Sequence, residues 1–231
     1  MILKTLREEV LEANLELVRR GLVLYTFGNA SGIARDEKMV VIKPSGVPYE
    51  KMTPEDLVVT DLQGKIVEGS LRPSSDLPTH LILYREFASI GGIAHTHSRA
   101  ATSWAQAQRE IPCFGTTHAD YFHGPIPVTK PLPPAQIRAD YEANTGRAIV
   151  RRFAKLDPLH FPAVLVAGHA PFCWGATPAE AAHVAVIVEE IAVMASQTLA
   201  ANPKARRISQ HLHDKHFRRK HGRDAYYGQN K

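Results

Sequence analysis

The 231-residue sequence predicts a single α/β domain in which helices pack on a central sheet. Apolar residues recur at helical spacing near the N-terminus, and short β-type apolar runs alternate with further helical segments along the chain. No linker, internal repeat or low-complexity tract divides the sequence. The hydrophobic content of 44% is enough for one sizeable core, so we expect one domain over residues 1–231.

The N-terminal third begins with a helical stripe and continues as β-structure. Five apolar residues spaced three and four apart predict an amphipathic helix: Leu3, Leu6, Val10, Ala13 and Leu17. Gly21 stands where a C′ glycine would end that helix. The runs 40–42 and 57–59 predict strands, and Gln63-Gly64 predicts a tight turn into another strand at 66–67.

Four further helices are expected. Residues 76–87 predict a helix with Pro78 near its first turn, and residues 98–108 predict another. A capping-box pattern with proline at the first helical position opens a long, largely buried helix over 177–200. The last predicted helix covers 208–220 and ends before a glycine.

Two histidines follow a short apolar run and predict a metal site. His95 and His97 are two residues apart, and in an extended strand such side chains point to the same face. His169 closes a second β-type run at 163–168, which Ala170-Pro171 is expected to break. Three neutral imidazoles suit zinc or another first-row metal, with a fourth position left for water or substrate. The alternative is that His95 and His97 are solvated loop histidines.

Asp76 is a candidate carboxylate for the same site, as a direct ligand or as a base. The surrounding Ser74-Ser75-Asp76-Leu77-Pro78 is also suited to a helix N-cap, and the two roles are compatible.

Three loops of small residues suggest an anion site. They are residues 28–31, 43–46 and 73–75, and they combine glycines, serine hydroxyls and Lys43. Backbone N–H groups, hydroxyls and an ammonium group are suited to phosphate oxygens. Each loop taken alone would be an ordinary turn in most proteins, and it is the combination of three that suggests phosphate binding.

The segment 111–134 is rich in loops yet specific in composition, and such segments often carry function. It contains Asp120, a candidate proton carrier whose alternative role is a turn residue. Tyr226-Tyr227 stands in a glycine-flanked C-terminal segment and supplies a second candidate, Tyr227, whose alternative role is packing of the tail.

Composition restricts the class of protein. Two cysteines, Cys113 and Cys173, do not make a disulfide framework, so we expect buried thiols and a cytoplasmic location. The N-terminal segment is too acidic for a signal peptide, and we expect neither a membrane span of about 20 apolar residues nor membrane association.

The net charge of +5 is concentrated near the C-terminus, where eight cations between Lys204 and Arg223 face the single acid Asp214. Such a stretch suits nucleic acid, an anionic small molecule or an acidic neighbouring subunit. Because base-stacking aromatics at regular spacing are missing, we expect no nucleic-acid partner.

Several of these segments together resemble the class II aldolase/adducin-head family, and within it the branch of L-ribulose-5-phosphate 4-epimerases. The matching stretches are VIKPSGVPYEKM, RPSSDLPTHLILYREF, GGIAHTHSRAATSWAQA, GTTHADYFHGPIP, HAPFCWG and DKHFRRKHGRDAYYGQ. The paired histidines and the later histidine mark the wider family, whereas SSD, TTHADYF and YYGQ resemble the epimerase branch. Three departures are Ala170 in place of a usual glycine, His123 where an aromatic is common, and Asn230-Lys231 at the end.

The resemblance implies a fold and a set of roles. The fold would be a three-layer αβα sandwich with a central, largely antiparallel sheet. The protein would be a homotetramer with active sites shared between subunits, to which the tail 204–231 contributes. The implied ligands of a divalent metal, Zn²⁺ or alternatively Mn²⁺, are Asp76, His95, His97 and His169. The implied substrate-binding residues are Gly28, Asn29, Lys43, Ser45, Gly46, Ser74, Ser75, His216 and Arg219. Asp120 and Tyr227 match the acid/base pair, with the tyrosine arriving from a neighbouring subunit.

The implied reaction is inversion of a pentulose phosphate at C4. Simple deprotonation there is unattractive, because C4 lies β to the carbonyl carbon. Cleavage of the C3–C4 bond, rotation of the aldehyde and re-addition on its other face would invert C4, with proton carriers on both faces. The alternatives are an aldolase of the L-fuculose-phosphate type, which releases the aldehyde, and a non-catalytic adducin-head-like binding module.

Overall fold

The computed structural model describes residues 1–221 and 225–226. Within those residues the helices are α1 (Lys4–Arg19), α2 (Leu77–Glu86), α3 (Arg99–Gln106), α4 (Thr116–Ala119), α5 (Pro134–Arg152), α6 (Pro178–Ala201) and α7 (Gln210–Lys220). The strands are β1 (Asn29–Ala34), β2 (Met39–Ile42), β3 (Val58–Asp61), β4 (Ile66–Glu68), β5 (Gly92–His95), β6 (Ala163–Leu165) and β7 (Pro171–Gly175). Gly222, the glycine expected to end the last helix, and Tyr227 lie outside the described residues.

The strands form one sheet in the order β4-β3-β2-β1-β5-β7-β6, and every neighbouring pair is antiparallel. The predicted single α/β domain with a largely antiparallel sheet is therefore confirmed. β5 lies near the middle of the sheet, where His95 pairs with Asn29 on one side and with Phe172 on the other. The sequence thus places its first candidate ligand at the end of a central, buried strand.

Helices cover both faces of the sheet and make the predicted three layers. Alternate side chains along a strand point to opposite faces, so Val41 packs with α1, α3 and α6, while Val40 and Ile42 pack with α2 and α5. The same alternation separates Cys173 from its neighbours Phe172 and Trp174. Two buried clusters result, one on each face.

Several local predictions are confirmed in detail. Gly21 follows the end of α1 with a φ of +67°, as a C′ glycine does. Gly64 has a φ of +88° in the turn before β4. At the start of α6, the Thr177 hydroxyl accepts a hydrogen bond from the Glu180 N–H at 3.1 Å. The Glu180 carboxylate reaches back to the Ala176 N–H at 2.7 Å, one residue earlier than in a capping box.

The sequence interpretation is wrong around two strands. Residues 29–31, taken as part of a loop, begin β1. The run expected to continue to residue 168 ends at Leu165, and Pro171, which was expected to follow the end of that strand, is the first residue of β7, a strand that was not predicted. Proline is tolerated there because the first residue of a strand need not donate to the ladder. His169 consequently lies in the turn of the β6–β7 hairpin, and the β5 strand ends at His95, two residues before His97.

The sequence analysis also missed α5. Its first half is polar and half exposed, so it carries a weak apolar stripe. The helix is kinked at Asp140, whose φ of −163° and ψ of 85° are not helical. The Asp140 carboxylate accepts a hydrogen bond from the Ala143 N–H at 3.3 Å and so restarts the helix after the kink. The kink brings Tyr141 and Glu142 to the rim of the cleft described below.

α6 is long and apolar enough, by length and composition, to cross a membrane, and it is the one helix in the described part of the chain that meets this test. The expectation that no segment approaches such a span does not hold for this helix. In the fold α6 packs against β5, β7, α1 and α3, which accounts for its apolar composition. The Glu189 carboxylate accepts hydrogen bonds from the Ala100 and Ala101 N–H groups and so caps α3 immediately after the histidine pair.

Candidate metal centre and substrate cleft

The three predicted histidines meet at one point. Ring centroids of His95, His97 and His169 are 4.9 to 5.0 Å apart, and one ring nitrogen of each lies within 4.8 Å of the others. The Nε2 atoms of His97 and His169 are 3.3 Å apart. His95 is buried and His97 exposed, so the trio has a closed base and an open side. This arrangement is that of a metal site with an accessible position.

Neighbouring groups fix how two of these rings are oriented. The Nδ1–H of His95 donates to the Pro171 carbonyl at 2.9 Å, which leaves its Nε2 lone pair for a metal. The Nδ1 of His169 lies 3.0 Å from the Tyr141 hydroxyl, which orients that ring in the same way. Hydrogen bonds of this kind are the usual support of metal-ligating histidines. The residues present therefore fit a divalent cation.

The electrostatics favour neutral imidazoles at His97 and His169 beside an ionised carboxylate at Asp76. Burial and the neighbouring His95 lower the pKa of His169 to about 4 and also lower the pKa of His97. Burial of Asp76 raises the pKa of its carboxyl, but His95, His80 and the Asn29 amide outweigh it and hold that pKa below its usual range. Neutral histidines and a carboxylate are the protonation states in which these groups bind metals.

Asp76 stands at the N-cap position of α2, but its carboxylate makes no capping hydrogen bond to that helix. Asp76 Oδ2 instead accepts a hydrogen bond from Asn29 Nδ2 at 2.8 Å and lies 3.9 Å from His95 Nε2. The N-cap alternative is therefore wrong for the side chain. The carboxylate faces the histidines, where it can serve as a ligand or as a base.

The three small-residue loops line the same cleft as the histidines. The cleft has a volume of about 620 Å³. Hydrogen bonds tie two of the loops together: the Ser45 N–H donates to the Arg72 carbonyl and the Ser74 N–H to the Lys43 carbonyl, both at 2.9 Å. The predicted residues along its wall are Gly28, Asn29, Lys43, Ser45, Gly46, Ser74, Ser75, Asp76, His95, His97 and His169.

Lys43 is the charged group of this cleft and is almost fully buried, with 1% of its surface exposed. Its ammonium group donates to the Pro44 carbonyl at 3.2 Å and lies 4.6 Å above the Tyr49 ring. Among the described residues no carboxylate lies within salt-bridge distance of it. Burial accordingly lowers the pKa of Lys43 to about 8. A buried ammonium without a counter-ion is suited to receive an anion.

Gly28 is required by close contact with the strand that carries the first histidine. It has a φ of +74°, and a Cβ placed there would lie 2.8 Å from the His95 carbonyl oxygen. A side chain would therefore be strained by its own backbone and would push on β5.

Roles for His80, Tyr84 and Tyr141, which lie behind and beside the metal ligands, were not predicted from the sequence. Ser31 Oγ lies 2.7 Å from His80 Nδ1 and 2.8 Å from the Tyr84 hydroxyl, in a buried network next to Asp76. The spacing of four residues between Asp76, His80 and Tyr84, which puts them on one face of α2, was a signal in the sequence. Tyr141 lay in a helix that was not predicted.

The second group of predicted residues comes together elsewhere. The Asp120 carboxylate receives hydrogen bonds from Arg219 Nε at 2.9 Å and Arg219 Nη2 at 2.5 Å, and lies 3.0 Å from His216 Nδ1. Lys220 adds its charge at 3.9 Å. Burial raises the pKa of Asp120, but the hydrogen bonds from Arg219 and His216 outweigh it and keep that pKa below its usual range. Asp120 is therefore an ionised anchor for α7.

This Asp120 cluster and the histidines lie at opposite ends of the same strands. Asp120 borders a separate cavity of about 380 Å³, which Trp174 and Gly175 also line. Gly175 pairs with Gly92, whereas His95 pairs with Phe172, three residues away along β7. Three extended residues span roughly 10 Å, so the two groups are beyond hydrogen-bond reach within one chain.

Beyond α7 the structure describes His221, Ala225 and Tyr226. The Tyr226 ring is 63% exposed and lies 5.2 Å below the Lys215 ammonium. Tyr227, the second predicted proton carrier, lies outside the described residues.

Solved structures with the same fold include L-fuculose 1-phosphate aldolase, which has a TM-score of 0.79 and 23% identity over 93% of this chain and 95% of its own. YgbL from Klebsiella pneumoniae has a TM-score of 0.74 and 25% identity over 93% and 99% of the two chains. L-fuculose-1-phosphate aldolase from Thermus thermophilus has a TM-score of 0.68 and 22% identity over 88% and 98%. The family model for the class II aldolase and adducin N-terminal domain matches residues 8–196, the region that holds the sheet and the histidine cleft. The chain thus belongs to the class II aldolase and adducin N-terminal domain family.

Proposed function

We propose that this protein is a metal-dependent L-ribulose-5-phosphate 4-epimerase. It would convert L-ribulose 5-phosphate into D-xylulose 5-phosphate by cleaving and re-forming the C3–C4 bond. The observation that carries the proposal is that three converging histidines and the buried Lys43 ammonium line one cleft. A ligand with an anionic end and a chelating oxygenated end matches that cleft, as a sugar phosphate does.

The phosphate group would lie among the three small-residue loops. Lys43, Ser45, Ser74 and Ser75 line that end of the cleft. The oxygenated carbons would then extend toward the histidines. Asn29 Oδ1 is buried and has no hydrogen-bond partner, although the Asn29 amide nitrogen is engaged by Asp76. A substrate hydroxyl that donates to Asn29 Oδ1 would satisfy this atom.

A divalent ion, Zn²⁺ or alternatively Mn²⁺, would be held by His95, His97 and His169, with Asp76 as fourth ligand or as base. When bound, it supplies Lewis-acid polarisation of the substrate carbonyl and of the adjacent oxygen. The surrounding residues hold the cleaved fragments in place: the loops keep the aldehyde phosphate anchored while its carbonyl rotates. Keeping both fragments bound is what separates an epimerase from an aldolase.

Inversion needs a proton acceptor and a proton donor on opposite faces of the aldehyde. We assign these roles to Asp120, acting together with His216 and Arg219, and to Tyr227. Asp120 lies at the far end of the sheet from the histidines of its own chain. The histidine cleft that it would complete would therefore belong to a neighbouring subunit. A homotetramer with shared active sites, in which residues 204–231 complete the neighbouring site, is consistent with the exposed Tyr226 ring and the basic α7.

The second candidate is a sugar-phosphate aldolase that releases its aldehyde. The likeness in fold to L-fuculose 1-phosphate aldolase is compatible with it. The third candidate, a metal-free binding module, is disfavoured by the converging histidines and their oriented rings. For either enzyme we propose a cytoplasmic location, with both cysteines free, and neither nucleic acid nor membrane as partner.

One incubation distinguishes these candidates. The purified protein is mixed with L-ribulose 5-phosphate and Zn²⁺, and the products are separated by chromatography. An epimerase yields D-xylulose 5-phosphate with little free glycolaldehyde phosphate. Accumulation of glycolaldehyde phosphate and dihydroxyacetone would identify an aldolase. Unchanged substrate, together with less than one metal per chain, would support the binding module and overturn the proposal.

A further inference from the structure

A second group of metal-binding side chains lies outside the cleft, between α7 and the loop that follows α4. One ligand atom of each of His123, His213 and Asp214 lies within 4.8 Å of the others. His123 Nε2 and His213 Nδ1 are each 3.7 Å from Asp214 Oδ1. The two imidazole rings are nearly parallel, with centroids 5.5 Å apart and 21° between their planes. These distances are slightly longer than those around a bound ion, so a small closure would complete the site.

We propose that His123, His213 and Asp214 form a second, structural site for a divalent transition metal such as Zn²⁺. Two imidazoles and one carboxylate are a ligand set that zinc accepts, with a fourth position for water or another side chain. The His160 ring lies beside that of His123, with their centroids 5.8 Å apart. The site would be separate from the histidine trio of the cleft.

The hydrogen bonds of His213 leave the nitrogen that a metal requires. Its Nε2–H donates to the Phe122 carbonyl at 2.9 Å, so its Nδ1 carries a lone pair. A metal ligand that donates its other ring N–H to a backbone carbonyl is a common arrangement in metal sites. His213 is also buried, with 5% exposed, so its orientation is fixed by the fold.

The amide group of Gln210, which carries partial positive charge on its hydrogens, occupies the space between His213 Nδ1 and Asp214 Oδ1. The Gln210 amide nitrogen lies 3.3 Å from His213 Nδ1 and donates to Asp214 Oδ1 at 2.7 Å. One amide group directed at an imidazole lone pair and a carboxylate stands where a cation would sit. Because Gln210 is an exposed residue of the first helical turn, it can swing aside when a cation binds.

An ion at this point would fasten α7 to the loop that carries Asp120. Asp120 and His123 are three residues apart, and each contacts α7. The ion would therefore act as a positioning element between α7 and the loop that carries Asp120, and not as a second catalytic centre.

Metal counting tests the proposal without using activity. The protein and its variants are equilibrated with Zn²⁺, freed of excess metal on a desalting column, and assayed for zinc per chain by mass spectrometry. We expect two equivalents in the wild type and one in His123→Ala and in Asp214→Asn. His211→Ala is the matched control, because His211 is an exposed histidine of the same helix outside the cluster, and it should retain two. His97→Ala should retain one, and His97→Ala combined with Asp214→Asn none.

Asp214→Asn is nearly isosteric, and circular dichroism verifies its fold, so that loss of zinc is not mistaken for unfolding. Hydrogen exchange locates the ion: zinc should slow exchange in residues 210–220 of the wild type and of His97→Ala, but not of Asp214→Asn. A wild type that holds a single zinc, which only His97→Ala removes, would overturn the second site while leaving the cleft proposal intact. Retention of both ions in His123→Ala and in Asp214→Asn would overturn it equally.

Discussion

Replacement of Lys43 by methionine tests the anion end of the cleft most directly. Lys43 is 1% exposed, and the bonds that its ammonium makes in the described structure are to the carbonyls of Thr26 and Pro44, at 3.5 and 3.2 Å. Methionine has a similar length and no charge, so Lys43→Met removes the cation and preserves most of the packing.

The expected effect on substrate binding follows from the type of contact that is lost. A hydrogen bond to a charged group contributes about 1.5–3 kcal/mol, which corresponds to a roughly 10- to 150-fold increase in KM or loss in kcat/KM. Metal content should remain unchanged, because Lys43 is not among the histidines and carboxylate that converge.

The same substitution should not destabilise the free protein. Burial lowers the pKa of Lys43 from 10.5 to about 8, so the folded state disfavours the charged lysine. The unfolded chain therefore binds more protons between these two pH values, and wild-type stability rises as pH increases from about 8 toward 10.5. Below pH 8 the full penalty is present. Lys43→Met lacks the charge, so its unfolding free energy at pH 7 should equal or exceed that of the wild type.

Three measurements check this reasoning. Steady-state kinetics with L-ribulose 5-phosphate give KM and kcat, calorimetry with inorganic phosphate gives the affinity for the anion alone, and denaturant unfolding at pH 7 and pH 10 gives stability. Wild-type KM should rise above pH 8, while the KM of the variant should not change there. Equal phosphate affinity and equal KM in the two proteins would refute the assignment of Lys43 to the anion site.

Other predictions concern the metal, the backbone and the thiols. His97→Ala should lose most of the cleft metal, measured by mass spectrometry, yet keep its circular dichroism spectrum, because His97 is exposed; wild-type zinc occupancy of the cleft would contradict this. Gly28→Ala should lower the free energy of unfolding by about 1–3 kcal/mol, seen as a lower denaturant midpoint, because a residue with left-handed backbone acquires a Cβ 2.8 Å from the His95 carbonyl oxygen. Gly46→Ala is the control for backbone strain alone, since a Cβ there meets nothing within 4 Å. Cys113 and Cys173 should react with a thiol reagent only after denaturation, because burial raises the pKa of Cys113 to about 11 and leaves both side chains inaccessible.

Elements with a clear apolar period could be predicted from sequence, and elements built from small or polar residues could not. β1 contains the sequence Asn-Ala-Ser-Gly-Ile-Ala, which has a low intrinsic strand preference. It is a strand because β2 and β5 pair with it on both sides. Its Gly32 is small because α1 and α6 approach closely: a Cβ would lie 2.7 Å from a Leu6 methyl. This requirement comes from tertiary packing and leaves no periodic signal in the sequence.

The same distinction applies to the cleft. The three histidines could be predicted because they stand at the ends of two apolar runs, and the structure brings all three together. The role of Tyr141 depends on a kink at Asp140 and on the hairpin turn that holds His169, and neither could be inferred from local spacing. Asp76 was found, but its contact with Asn29 requires the pairing of β1 with β5, which the sequence interpretation lacked.

The two halves of the proposed active site lie at opposite ends of β5 and β7, and this separation has a testable consequence for assembly. Within one chain the β7 residue that lines the Asp120 cavity is roughly 10 Å along the strand from the residue paired with His95, so the Asp120 cluster does not contact the histidines. If neighbouring subunits bring the cluster of one chain to the cleft of the next, His97→Ala and Asp120→Asn damage the two contributions to a shared site. Each variant alone should be nearly inactive, since His97→Ala loses the cleft metal and an acid/base group such as Asp120 contributes about 10²–10⁴-fold. After subunit exchange, a mixed oligomer contains some interfaces at which both contributions are wild type, and activity should return in proportion to them.

Exchange can be verified by mass spectrometry of isotopically labelled chains. Mixed oligomers that form but recover no activity would show that the Asp120 cluster does not complete a neighbouring cleft, and would leave α7 with a purely structural role.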